Sequence, residues 1–143
     1  MSKQVILPKV PSKLLTIALR DLKITIQSGI EIDMRSWGRN VGTPECTVCF
    51  AGAVMLQTEK QKPNEKLEFK NHNENYRQYK FLDNIRKGSL ATALDYLDIE
   101  YEINKYEGFK SYIKGWQPFN KCSNEVFFKQ IEDLIIYLKS KNL

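Results

Sequence analysis

Histidine is nearly missing from this chain. Its 143 residues include one, His72. A single histidine cannot complete a Cys/Cys/His/His metal site, and no second Cys-x-x-Cys follows Cys46 and Cys49. His72 sits in the polar stretch Lys70-Asn71-His72-Asn73, which reads as solvated loop before it reads as a general base. Cysteine is scarce and odd in number, with Cys46, Cys49 and Cys122. An odd count points to reduced thiols, not to a disulfide framework. Long apolar runs are absent. The longest covers residues 50 to 56, too short to span a bilayer. Residues 1 to 11 hold no apolar signal core followed by small residues. The expectation is an intracellular, cytoplasmic protein with no membrane partner.

Runs of one charge are absent too. Lys and Arg number 22 against 17 Asp and Glu, a net charge of +5, but the signs are interspersed. The excess suits an acidic partner such as a nucleotide, an acidic protein face or nucleic acid. It suits a solvated, mildly basic surface better. The mixing of signs makes nucleic acid the weakest of these. There is no Walker loop, no GxGxxG and no GxSxG, so the common phosphate-loop and nucleophile-elbow enzymes are excluded. No internal repeat or low-complexity segment occurs.

What is present is an ordinary globular composition, 42% apolar and 27% charged. That supports one core and one domain over residues 1–143. Leu7-Pro8-Lys9-Val10-Pro11 reads as an extended lead-in over residues 1 to 11. Ser12 then caps a helix in which Leu15, Ala18, Leu19, Leu22 and Ile26 recur at helical spacing. Ser28-Gly29 ends it. Ile30-Glu31-Ile32-Asp33-Met34 alternates as a short strand. Thr43, with Pro44 behind it, predicts a second helix running to about Thr58, with Ala51, Gly52 and Ala53 as a smooth face. Residues 59 to 73 read as a surface loop. A third helix covers about 74 to 87, with Tyr79, Leu82 and Ile85 inward. A fourth follows Ser89, burying Leu90, Ala93, Leu94 and Leu97. Ile99, Tyr101 and Ile103 alternate and are expected to pair with residues 30 to 34. Ser123 or Asn124 caps a last helix burying Phe127, Phe128, Ile131, Leu134, Ile135 and Leu138. The predicted fold is mainly α, with about five helices and a small two-stranded sheet in a compact single domain.

Three constellations carry chemistry. The loop Arg35-Ser36-Trp37-Gly38-Arg39-Asn40 offers forked cations for phosphate or carboxylate and an indole that can stack on a base. Beside it, a helix starting at Thr43 would add free amides. Arg35, Trp37, Arg39 and Thr43 are therefore the candidate ligand-binding residues. The alternative is that Trp37 fills the core and the arginines are solvated. Second, Cys46 and Cys49 would lie in the first turns of that helix, where free amides acidify thiols. They are candidate reactive thiols for a redox or hydrolytic enzyme. Otherwise they are small packing groups beside Phe50 and Val54. Third, Tyr106, Phe109, Tyr112, Trp116 and Phe119 interleave with Lys105, Lys110 and Lys114. Such a set binds single strands, or packs a core or homo-oligomer interface. Glu31 and Asp33 share a strand face, an arrangement commoner on a solvated surface than at an acid/base site. No catalytic residue, metal or cofactor is assigned.

The features Leu7-Pro8-Lys9-Val10-Pro11, Leu14-Leu15, Ala18-Leu19-Arg20-Asp21-Leu22, Asp33-Met34-x-x-Trp37 and Cys46-x-Val48-Cys49-Phe50-Ala51-Gly52-Ala53-Val54-Met55 resemble a family of small bacteriophage-encoded proteins. The resemblance spans the chain to about residue 100, and the C-terminal part much less. That family carries no assigned activity, so no catalytic residues follow from it. The resemblance implies an accessory protein acting in the cytoplasm of an infected bacterium. The expected function is non-enzymatic binding that counteracts host antiviral defence. It would do so by sequestering a nucleotide signal or by blocking a host defence protein.

Overall fold

A computed structural model describes residues 6–32, 38–39, 47–59, 75–86, 90–99 and 123–143. The fold is mainly helical. Its described elements are α1 (Pro11–Gln27), β1 (Glu31–Ile32), β2 (Gly38–Arg39), β3 (Thr47–Val48), α2 (Phe50–Glu59), α3 (Tyr76–Arg86), α4 (Leu90–Tyr96) and α5 (Asn124–Ser140).

α2 is the centre of the core. Its sequence is apolar on every face, which only a helix covered on all sides tolerates. Phe50, Ala51, Ala53, Val54, Met55 and Leu56 are all buried. α1 packs on one side and α3 on another; α5 lies on α1, and α4 on α3. α5 also reaches the start of α2, where Phe127 meets Phe50 edge to face at 5.6 Å. The small residues expected to give α2 a smooth face do so. At Ala53, the Thr25 hydroxyl of α1 comes within 3.4 Å of the carbonyl oxygen. That hydroxyl donates to the Asp21 carbonyl at 2.8 Å and accepts from Gln57 Nε2 at 3.1 Å, so the buried oxygen is satisfied.

The amphipathic helices bury the stripes their spacing predicts. Leu15, Ala18, Leu19 and Leu22 of α1 are buried, as are Tyr79, Leu82 and Ile85 of α3. So are Leu90, Ala93, Leu94 and Leu97, and Phe127, Ile131, Leu134, Ile135 and Leu138 of α5, whereas Ile26 of α1 and Phe128 of α5, expected in the same stripes, are only partly buried. Ser123 caps α5, its hydroxyl accepting from Val126 N at 3.2 Å. α1 begins two residues earlier than expected. Val10 is the cap and Pro11 stands in the first turn, where its missing N–H costs nothing.

Three helices stop by one device. Gly29, Asp98 and Asn142 take left-handed φ values of 90°, 58° and 59°. The following amide then bonds back to the helix, Ile30 N to Thr25 O, Ile99 N to Leu94 O and Leu143 N to Leu138 O. Ile30, Ile99 and Leu143 each pack against the core, as the left-handed helix stop requires of its trailing apolar residue.

The sheet departs from expectation. It has three strands in the order β1-β3-β2. β1 pairs in parallel with β3, and β2 runs antiparallel to β3. The strand predicted at 30 to 34 is thus paired with residues assigned to the second helix. The proposed partners beyond Ile99 lie outside the described residues. Thr47-Val48 is strand, and α2 begins at Phe50, not Thr43. Two β-branched residues between two waiting strand edges gain more from pairing than the cap signal at Thr43 offers.

Candidate functional site at the sheet end

The register of the sheet decides what meets what. Ile32 and Gly38 are both in register with Val48, one on each side. Val48 is buried and Ile32 half-buried, so this row belongs to the core side. Segment 33–37, which carries Arg35 and Trp37, leaves from Ile32 and returns at Gly38. Both anchors therefore flank the residue just before Cys49 and the first turn of α2. Segment 40–46, which carries Thr43 and Cys46, runs from Arg39 to Thr47 at the other end of the register. The helix start expected at Thr43 is at Phe50, two residues after Val48, with which Ile32 and Gly38 are in register. Arg35, Trp37, Thr43 and Cys46 themselves lie outside the described residues, as do Asp33, His72 and the aromatic set from 106 to 119.

Arg39 stands on β2 in register with Thr47, and Glu31 stands in register with the same Thr47 from β1. Residues 31 and 39 thus flank one central strand position from opposite sides.

Cys49 sits one residue before α2 and acts as its cap. Its carbonyl accepts from Ala53 N at 2.8 Å, and its sulfur accepts from Gly52 N at 3.4 Å. The side chain is wholly buried and unoxidised. Burial pushes the thiol up from 9.0 to about 11, although the Gly52 amide and the Arg86 charge pull the other way. At neutral pH Cys49 is therefore a protonated, sequestered thiol, the packing alternative of the two considered for it.

Sequence reasoning passed over the charged pair beside it. Arg86 Nε donates to Asp83 Oδ1 at 2.8 Å, three residues apart on the last turns of α3. Asp83 is buried and Arg86 mostly so. Both charges act on the Cys49 thiol, so the pair borders the start of α2. With Nε fixed, the guanidinium is held in one orientation and its terminal nitrogens remain potential donors. The signal was available: an Asp-x-x-Arg step falling among Tyr79, Leu82 and Ile85 puts ions next to a buried stripe.

Among the described residues, no three His, Cys, Asp or Glu side chains gather as a metal-holding group. No described helix is long and apolar enough to cross a membrane. No family model, curated protein or solved structure matches the chain.

Proposed function

We propose that this protein is a stoichiometric binding protein. Its ligand-facing region is the sheet end, formed by segment 33–37, Arg39 and the surroundings of the α2 start. The observation carrying this reading is the shared register of Ile32 and Gly38 with Val48. It puts Ile32 and Gly38, the residues on either side of the arginine- and tryptophan-bearing segment, beside Val48, two residues before a helix start bordered by the oriented Arg86. Arginine forks, a stacking ring and helix amides are the complement of an anionic, base-bearing ligand. The neutral Cys49 thiol supports binding over thiol chemistry at that residue.

On this reading the ligand is a nucleotide signal of host antiviral defence, and the biological role is to remove it from circulation. Blocking a host defence protein through the same surface is the other form of the proposal. Native mass spectrometry of the purified protein with a mixture of cyclic and linear nucleotides tests it. A bound-nucleotide increment that Arg35→Ala with Arg39→Ala removes, with the fold intact, is the expected result. No increment for the wild type sinks the nucleotide form and directs the search to a host protein.

A further inference from the structure

At the opposite end of α3 the chain's own main chain is held as a ligand would be. Leu7 N donates to Asn75 Oδ1 at 2.9 Å, and Gln78 Nε2 donates to the Leu7 carbonyl oxygen at 2.9 Å. Both groups of one peptide residue are satisfied by two carboxamides, the pattern a neighbouring strand would supply. Asn75, Gln78 and the Leu7 side chain are all essentially solvent-free. Asn75 immediately precedes α3 and Gln78 lies in its first turn, so the helix holds both on one face.

Among residues 6 to 10, Leu7 is the buried one and Pro8 is half-buried. Ile6 is 67% exposed and Val10 42%, and Lys9 is exposed. Pro8 has no N–H to offer and biases Leu7 toward extended backbone, the shape the two carboxamides read. We propose that Asn75 and Gln78 form a receptor for one extended, leucine-bearing peptide unit, filled in cis by Leu7 as a releasable latch. Because the receptor is built on α3 and not on the latch, it accepts the same unit in trans. The inference is independent of the function proposed for the sheet end.

The test uses full-length protein and a blocked synthetic peptide copying residues 6 to 10. In Leu7→Asp protein the latch is expelled, because a charge does not enter the apolar seat. The peptide should then shift the Asn75 side-chain amide resonances saturably. Wild-type protein should bind at least about tenfold more weakly, since its own Leu7 fills the site. Adding Gln78→Leu to Leu7→Asp should abolish the shift. No saturable shift up to about 5 mM peptide, or an equal shift in the double variant, overturns the proposal. Wild-type hydrogen exchange decides independently, should Leu7→Asp not fold. The Leu7 amide should be protected, yet open at lower free energy than the amides of α1 and α3. Exchange only through global unfolding, or at the rate of a free amide, also overturns it.

Discussion

The two ends of α3 bury polarity in different ways. At its start, Asn75 and Gln78 are neutral amides that bond the backbone of Leu7. At its end, Asp83 and Arg86 are ions bonded to each other beside Cys49. A carboxamide facing a fixed N–H or C=O is satisfied locally and tolerates dryness at modest cost. An ion pair is costly to desolvate, and its lasting benefit is orientation. The first end is therefore built to hold chain, and the second to hold a charge in place near the sheet end.

Breaking the pair should have the largest effect. Asp83→Ala leaves Arg86 mostly buried without its carboxylate and should cost about 3 kcal/mol in urea unfolding. Replacing both Asp83 and Arg86 by leucine should recover most of that loss, as expected where ions serve placement more than stability. If the double variant is as unstable as the single, the contrast between the two ends is wrong. Leu7→Ala at the other end empties a seat in the core and should cost about 2–3 kcal/mol. Gln78→Leu keeps the apolar volume but orphans the Leu7 carbonyl, a loss of about 1–2 kcal/mol by the same assay.

Two titrations sharpen the comparison further. The Cys49 thiol has a folded value raised from 9.0 to about 11, so the folded state holds its proton more tightly. Its contribution is present below pH 9.0 and is lost as pH rises toward 11. The difference in stability between wild type and Cys49→Ser should therefore shrink over that interval. A pH-independent difference would mean a thiol in contact with water. The smallest effect is expected at Asp21, a buried carboxyl whose nearest cation, Arg20, is largely exposed. Burial raises it above the ordinary 3.8, against the pull of Arg20. Its contribution is present below pH 3.8 and is lost as pH rises through the folded value, so the ionised form is a liability at neutral pH. Asp21→Asn should raise Tm at pH 7 by about 2 °C and lose that advantage in acid.

Much of the helical frame was legible because it rests on local rules. The α1 and α5 stripes, the Ser123 cap and the stop at Ser28-Gly29 are set by spacing and by residues suited to each helix end. The left-handed stops at Asp98 and Asn142 used the two other residue types that tolerate that backbone, and were less visible than a glycine. The start of α2 was misread because Thr43-Pro44-Glu45 is a strong local signal. Thr47-Val48 has partners on both sides that no window of sequence around it contains.

Arg35, Trp37 and Arg39 were singled out as candidates from residue type alone, and the register adds only where the residues flanking segment 33–37 stand. Asp83 and Arg86 were missed because an ion pair on an amphipathic helix looks like an ordinary solvated face until burial is known. The Leu7 seat was invisible, since its partners stand at Asn75 and Gln78.

By itself the sequence determined a mainly helical chain built around the apolar 50 to 56 stretch, because periodicity and end-capping act within a few residues. Only the tertiary structure decided that Thr47-Val48 is strand, that Cys49 is a dry cap and that Leu7 is held like a ligand. Each depends on groups far apart in sequence, whose pairing and desolvation exist only once the chain has folded.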